Sequence, residues 1–200
     1  MSTNYYQSKE SVKTYLKAAA DVNSKPRVEK LKGFLPAGSA VLELGSGPGT
    51  DWKILNETFK VVGSDNSDEF LNHLKVENPN GTFLNLDAVT IKTNQKFDGI
   101  YSNKVLHHLD DNELEKSITA QLEILNPNGT ICHSFWKGEG TDMFNGMYVN
   151  YHTTSQLKQL FEENFEILLL DEYKEFEDGD SLLLVAKIMS HHLLDNLHDN

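Results

Sequence analysis

The stretch that decides the fold is Val41-Leu42-Glu43-Leu44-Gly45-Ser46-Gly47-Pro48-Gly49-Thr50-Asp51. Its apolar start predicts a buried strand, and its three alternating glycines predict a turn that is too tight for side chains. A ligand can approach bare backbone at such a turn. The dinucleotide-binding fingerprint spaces its glycines two and then three residues apart, which would put the last glycine at Thr50. The spacing therefore disfavours a nicotinamide or flavin enzyme.

A second short apolar run covers residues 60–65 and ends in Asp65, 16 residues after Gly49. That separation leaves room for one short helix between two strands, so we expect a parallel pair in which Asp65 lies beside the glycine turn. A carboxylate in that position can accept hydrogen bonds from both hydroxyls of a ribose. The alternative is that Asp65 only caps the helix that is predicted to start near Ser67.

The same alternation of strands and helices continues along the chain. Short apolar runs predict strands over 82–88, 97–103, 130–136, 165–170 and 181–188, and helical spacing predicts helices over 111–125 and 153–163. Residues 5–32 predict one or two helices, interrupted near Pro26. Strands that alternate with helices favour an α/β fold with a mostly parallel sheet. The short acidic connection before the last strand predicts an antiparallel pair.

From about residue 35 to residue 188, the chain resembles the class I S-adenosylmethionine-dependent methyltransferases that act on small molecules. The matching landmarks are the glycine turn with its preceding acid, Asp65, the Asp87-Ala88 pair, segment 103–109 and turn 125–129. The resemblance implies a Rossmann-like, seven-stranded, mostly parallel sheet in the order 3-2-1-4-5-7-6, with one antiparallel strand and helices on both faces. Asn128 stands where the family usually has a second glycine, and Asn tolerates a positive φ.

The resemblance also divides the chain into three parts. Residues 1–34 are expected to form an N-terminal helical cap or lid, residues 35–188 the methyltransferase domain, and residues 189–200 a flexible tail. The tail contains three histidines, His191, His192 and His198. Histidine triplets can suggest metal binding, but a solvated terminus explains them more simply, so we predict no metal site.

S-adenosylmethionine is the cofactor that the resemblance implies, with S-adenosylhomocysteine as the product. Glu43 and Gly45 are expected to hold the amino-acid end of the cofactor, directly or through water. Asp65 is expected to take the ribose, and the carbonyl of Asn103 to face the amino group. The residues that the resemblance places around the adenine are Asn66, Asp87 and Ala88, and the remaining members of the implied cofactor site are Ser46, Gly47 and Gly49.

His107 and His108 are the candidates for a catalytic base, because the pKa of histidine lies near neutrality and both residues follow the fourth predicted strand. Neighbours on a helix point about 100° apart, so we expect only one of the two to reach the pocket. Alternatively, one packs under the helix and the other bonds a backbone carbonyl. Aromatic and histidine side chains that could belong to a lid or line the acceptor pocket are Tyr5, Tyr6, Trp136, Tyr148, Tyr151 and His152.

Composition predicts a single cytoplasmic domain. The chain has 200 residues, 38% of them hydrophobic, and one cysteine, Cys132. We find no apolar run that is long enough to cross a membrane and no secretory signal. A net charge of −12 argues against a duplex nucleic-acid partner and favours a small-molecule acceptor.

Three functional hypotheses follow from the sequence. The first is methyl transfer from S-adenosylmethionine to a nitrogen, oxygen or sulfur atom of a small molecule. The second is a non-catalytic domain that binds the same cofactor as a sensor or partner subunit. The third is a dinucleotide-dependent oxidoreductase. The sequence leaves the acceptor and the oligomeric state open.

Overall fold

The computed structural model describes Glu10, Val12 and residues 24–144 and 146–189. Tyr5, Tyr6 and the histidines of the predicted tail lie outside the described residues, so the predicted cap over 1–34 and tail over 189–200 stay predictions. The helices bounded within the described part are α1 (Lys25–Lys32), α2 (Thr50–Asn56), α3 (Asp68–Glu77), a 3₁₀ helix (Leu106–His108), α4 (Asp111–Ile124) and α5 (Thr154–Phe161). The strands are β1 (Ala40–Leu44), β2 (Lys60–Asp65), β3 (Thr82–Asn85), β4 (Phe97–Asn103), β5 (Leu125–Trp136), β6 (Thr141–Phe144), β7 (Met147–Asn150), β8 (Phe165–Tyr173) and β9 (Ser181–Ile188).

Seven of these strands form one twisted sheet in the order β3-β2-β1-β4-β5-β9-β8. Neighbouring strands from β3 to β5 are parallel, whereas β9 is antiparallel to both β5 and β8. The predicted fold class, a mostly parallel Rossmann-like sheet with one reversed strand, is confirmed. The order ends in 9-8 rather than 7-6 because a separate hairpin, β6–β7, adds two strands that the sequence analysis did not predict.

Helices cover both faces of the sheet, because alternate side chains of each central strand point to opposite sides. Ile100 of β4 belongs to a core that includes side chains of α4 and α5. The next residue, Tyr101, belongs to a second core that includes side chains of α1, α2 and α3. The carboxyl ends of β1, β2 and β4 therefore open between two helical layers, at the edge where the glycine turn lies.

Local capping signals determine where several helices begin. Asp110 and Glu113 form a reciprocal capping box at the start of α4, and Thr153 and Gln156 form another at the start of α5. Ser67 is the N-cap of α3, and its hydroxyl accepts a hydrogen bond from the backbone N–H of Phe70. Each cap satisfies backbone donors that the first helical turn leaves unpaired.

Several elements differ from the sequence prediction: β3 ends at Asn85 rather than at residue 88, and β8 continues to Tyr173 rather than ending at residue 170. β5 begins at Leu125 rather than at residue 130, because the predicted turn is a bulge where the register with β4 shifts, and Asn128 there has a φ of 67°. The β6–β7 hairpin was missed because all four side chains of β6 are exposed, so the segment has no alternating apolar pattern. No helix in the described part of the chain is both long and apolar enough to span a bilayer.

Candidate active site

The glycine turn after β1 has a backbone that only glycine adopts easily. Gly45, Gly47 and Gly49 have φ values of 67°, 46° and 79°, in the left-handed region. A Cβ on Gly45 would also lie 2.5 Å from Cγ2 of Val105, and one on Gly49 would lie 2.5 Å from Cδ2 of Leu74. The turn thus packs tightly against its neighbours at the carboxyl edge of the sheet.

Asp65 lies directly beside this turn, at the end of β2. The residue is 7% exposed, and its carboxylate Oδ2 accepts from the backbone N–H of Gly47 and Oδ1 from that of Ser67, both at 2.9 Å. Burial raises the pKa of Asp65, and its hydrogen bonds from backbone N–H groups oppose that rise. Because Ser67 caps α3, Asp65 is not the helix cap. A carboxylate accepts about four hydrogen bonds, so Asp65 keeps capacity for a ligand hydroxyl.

Glu43, on β1, is linked to both the glycine turn and β2 through the hydroxyl of Ser46. Glu43 is 2% exposed, and its Oε2 accepts a hydrogen bond of 2.5 Å from the hydroxyl of Ser46. The same Ser46 Oγ accepts from the backbone N–H of Ser64 at 3.1 Å. Burial, with smaller contributions from the nearby carboxylates of Asp51 and Asp65, raises the pKa of Glu43 well above its ordinary value. The Glu43–Ser46 pair therefore holds the first part of the turn in place.

Asn103 marks the end of β4, on the other side of β1. Its Oδ1 accepts a 2.6 Å hydrogen bond from the hydroxyl of Ser134, which in turn accepts from the backbone N–H of Lys104 at 2.9 Å. Lys104 has a φ of 55°. Its ammonium lies 3.4 Å from the centre of the Trp136 ring, and burial lowers the pKa of Lys104 to about 7.

The connection that follows β3 contains Asp87 and Ala88. It begins beside the glycine-turn site, because the backbone N–H of Leu86 donates to the carbonyl of Asp65 at 3.1 Å. The exposed carboxylate of Asp87 accepts from the N–H groups of Val89 and Thr90 within its own loop. The carbonyl of Ala88 accepts a 2.6 Å hydrogen bond from Ser117 of α4, so this loop is attached to a second element.

Comparison with known proteins agrees with this geometry. Residues 41–129, which run from β1 through the bulge of β5, match the profile of a family described as "Methyltransferase domain". Over residues 41–129 the chain is similar to a methyltransferase domain. The match includes the glycine turn, Asp65, the Asp87-Ala88 loop and the end of β4, which are the landmarks that the sequence analysis used.

Two curated relatives are methyltransferases that are longer than this chain. The tRNA (carboxymethyluridine(34)-5-O)-methyltransferase of Arabidopsis thaliana is 31% identical over 120 residues, 58% of this chain and 29% of the relative. The trans-aconitate 2-methyltransferase of Variovorax paradoxus is 33% identical over 117 residues, 56% of this chain and 44% of the relative. The chain therefore matches less than half the length of each.

Solved structures share the fold of the methyltransferase domain. The 1,6-didemethyltoxoflavin-N1-methyltransferase of Burkholderia thailandensis, with bound 1,6-didemethyltoxoflavin and S-adenosylhomocysteine, has a TM-score of 0.77 at 18% identity, covering 90% of this chain and 85% of that one. The N-methyltransferase NodS of Bradyrhizobium japonicum, with S-adenosylhomocysteine, has a TM-score of 0.71 at 16% identity, covering 92% and 98%.

The two candidate base residues of the methyltransferase domain lie in the 3₁₀ helix rather than in an α-helix. His107 is 3% exposed, its Nδ1 has no hydrogen-bond partner among the described residues, and burial lowers its pKa well below the usual value. Nδ1 of His108 lies 2.7 Å from the carbonyl oxygen of Tyr148, and burial lowers its pKa too. The arrangement matches the alternative in which one histidine packs and the other bonds a carbonyl, and a catalytic role stays a prediction.

The predicted acceptor-pocket residues are only partly brought together. Trp136 and His152 are joined by a backbone hydrogen bond, in which the N–H of His152 donates to the carbonyl of Trp136 at 3.2 Å. His152 is 2% exposed, with Nε2 lying 3.2 Å from Asp111 Oδ1. Tyr148 and Tyr151 are half-buried, on β7 and just after it. Among the described residues, no group of three or more His, Cys, Asp or Glu side chains is placed to hold a metal ion.

Sequence reasoning missed a buried arginine. Arg27 of α1 is 5% exposed, and its Nη1 donates to Oε2 of Glu175 at 2.9 Å. Its Nε and Nη2, the hydroxyl of Tyr173 and the hydroxyl of Ser24 are buried and lack hydrogen-bond partners within the described ranges. The only sequence signal was the position of Arg27 beside Val28, on the buried face of a short helix.

Replacing Glu43 with glutamine is expected to change how stability depends on pH. Because the folded pKa of Glu43 lies above its unfolded value, the wild-type protein loses stability relative to E43Q as pH rises above about 4.5. The loss approaches about 1.4 kcal/mol per pH unit until the folded pKa is passed. Urea unfolding of both proteins between pH 5 and 8 measures it, and parallel stability profiles would show that Glu43 is ionised without penalty.

Proposed function

We propose that this chain transfers a methyl group from S-adenosylmethionine to a small-molecule acceptor and releases S-adenosylhomocysteine. The observation that carries the proposal is the buried carboxylate of Asp65, bonded to Gly47 in a turn that requires glycine. A carboxylate next to a glycine turn can accept hydrogen bonds from the hydroxyls of a ribose that lies across the carboxyl edge of the sheet. When bound, the cofactor supplies a methyl group that is already electrophilic, because it is attached to a sulfonium.

The charged and polar groups at this edge fit the two ends of such a cofactor. Asp65 offers an acceptor for ribose hydroxyls. Arg27 has two buried N–H groups without partners among the described residues, and a planar guanidinium matches a carboxylate through paired hydrogen bonds. We therefore assign Arg27 to the carboxylate of the methionine portion, with Glu43 and Asn103 near its amino group. The loop of Asp87 and Ala88 would border the adenine.

The residues of the chain would contribute mainly by positioning. Holding the acceptor atom in line with the methyl carbon and the sulfur lowers the activation barrier by about 7–11 kcal/mol when the bound geometry is close to that of attack. A general base adds about 10²–10⁴-fold when the acceptor must lose a proton. His107 and His108 have lowered pKa values, so both are neutral near pH 7 and have a lone pair available to accept a proton. We keep one of them as the proposed base.

A small-molecule acceptor is supported by the net charge of −12, which repels nucleic-acid phosphates. The names of the similar proteins refer to a tRNA nucleoside, trans-aconitate and didemethyltoxoflavin, so they do not select one acceptor class. A cytoplasmic location is supported by the buried, unpaired Cys132. The family match disfavours the oxidoreductase hypothesis, whereas the sensor hypothesis remains the alternative to catalysis.

S-adenosylhomocysteine is expected to stabilise the wild-type protein against unfolding. A ligand that binds only the folded state adds about 2.7 kcal/mol at about 100 times its dissociation constant. Thermal and urea unfolding with and without the ligand measure the effect. NAD⁺ and NADH at the same concentrations serve as controls and should leave the midpoint unchanged.

Absence of any shift with S-adenosylhomocysteine would remove both the enzyme and the sensor. A shift with NAD⁺ instead would restore the oxidoreductase hypothesis. Where S-adenosylhomocysteine does bind, incubation with radiolabelled S-adenosylmethionine and a panel of amines, carboxylates, phenols and thiols separates catalysis from sensing. Only the enzyme transfers label to an acceptor.

A further inference from the structure

A chain of buried polar side chains crosses the apolar core between β4 and α4. Ser102 Oγ lies 2.8 Å from Nδ1 of His133, and Nε2 of His133 lies 2.8 Å from Oε1 of Gln121. Nε2 of Gln121 then donates to Ser117 Oγ at 3.2 Å, and Ser117 donates to the carbonyl of Ala88 at 2.6 Å. The four side chains are at most 1% exposed.

The hydrogen bonds of this chain can run in only one direction. Gln121 Oε1 is an acceptor, so Nε2 of His133 carries the proton and Nδ1 accepts from the hydroxyl of Ser102. Burial lowers the pKa of His133 to about 3, so the imidazole stays neutral at physiological pH. The amide of Gln121 must then donate to Ser117, which leaves the Ser117 hydroxyl proton for the Ala88 carbonyl. Each link therefore orients the next.

The chain ends at a loop that has no regular secondary structure. Residues 86–96 connect β3 to β4, and Ile91 within them has a φ of 41°, which is uncommon for a branched residue. The loop begins at the hydrogen bond from Leu86 to the carbonyl of Asp65, and it is joined to α4 through Ala88. These two bonds attach the start of the loop to β2 and to α4, beside the sheet edge where the cofactor is proposed to lie.

We propose that Ser102, His133, Gln121 and Ser117 are positioning residues that hold the Asp87-Ala88 loop at the depth required to bind the base of the cofactor. The inference rests on the proposed function. A core filled by apolar side chains would need no such chain, and a buried polar network is costly unless every member is satisfied. This one is satisfied, and its last donor leaves the core to bond the loop.

The experiment compares Ser117→Ala and Ser117→Thr, which remove and retain the hydroxyl. The matched control is Thr119→Ala on the same helix, because the exposed hydroxyl of Thr119 donates to the Glu115 carbonyl of its own helix at 3.1 Å and is bonded to no loop among the described residues. Titration calorimetry measures the affinity for S-adenosylhomocysteine. Hydrogen–deuterium exchange of the ligand-free proteins measures protection of the amides over residues 86–91.

S117A is expected to bind S-adenosylhomocysteine about tenfold more weakly. It should also exchange faster over residues 86–91, while S117T and T119A behave like wild type. If S117A binds normally with unchanged exchange while wild type binds S-adenosylhomocysteine, the positioning role is wrong and the proposed function stands. Faster exchange throughout the sheet also overturns the positioning role, since the chain would then only stabilise the core. A wild-type protein that does not bind S-adenosylhomocysteine overturns both proposals.

Discussion

Asp65→Ala is expected to weaken binding of S-adenosylhomocysteine by about one to two decades, at about 1.4 kcal/mol per decade. The reason is that hydrogen bonds to a charged acceptor contribute about 1.5–3 kcal/mol each. The carboxylate also holds the N–H groups of Gly47 and Ser67, so its removal loosens the glycine turn as well as the ribose contact. Isothermal titration of the folded variant measures the change in affinity.

The control for this experiment is Asp68→Ala. Asp68 is exposed, lies three residues further along the chain, and accepts a 2.8 Å hydrogen bond from the side chain of Asn85. It carries the same charge near the same edge, so D68A should stay within about 0.5 kcal/mol of wild-type binding. Wild-type affinity in D65A would mean that the ribose is held elsewhere. Equal losses in both variants would point to a general electrostatic effect.

Arg27→Met is expected to reduce both stability and cofactor affinity. Removing one partner of a buried ion pair costs about 3–5 kcal/mol, because the other charge is left without compensation. Here the carboxylate of Glu175 would lose its 2.9 Å contact at a site where both side chains are less than a tenth exposed. Affinity for S-adenosylhomocysteine should fall at least tenfold, since two charge-assisted N–H donors are lost. Urea unfolding and calorimetric titration measure the two effects separately.

A second variant separates packing from binding. In R27M/E175Q the uncompensated carboxylate is gone, so we expect stability to recover while affinity stays low. Lys30→Met on the same helix is the matched control, because its ion pair with Asp171 is 3.5 Å long and about half exposed. Recovery of affinity together with stability would contradict the assignment of Arg27 to the cofactor carboxylate.

Residues that act on near neighbours were predictable from the sequence. The capping hydroxyls and carboxylates near residues 67, 110 and 153 mark helix starts, because a cap bonds backbone only two or three positions away. The glycine turn was recognisable for the same reason, since backbone with positive φ restricts the residue at that position alone. The placement of Asp65 beside the glycine turn followed from the separation of 16 residues from Gly49, which leaves room for one short helix between two parallel strands.

Contacts between distant segments were not predictable. The exposed β6–β7 hairpin has no buried face to produce a pattern, and the pairing of β5 from Leu125 depends on a bulge against β4. His107 and His108 were identified by their position after a strand, but their burial depends on β7, which packs against them. Periodicity reports which face of an element is apolar and not which other element covers it.

Composition and short sequence patterns by themselves determined the architecture of this protein: a mostly parallel sheet, a glycine turn and an acidic residue at the end of the adjacent strand. Only the tertiary structure decided that Arg27 meets Glu175 across 148 positions of chain, that His133 bonds Gln121 of α4, and that Ser117 of the same helix bonds the carbonyl of Ala88. The physical reason is that local geometry is set by sterics and caps within a few residues. A buried polar side chain, in contrast, is defined by partners that only the packed core brings to it.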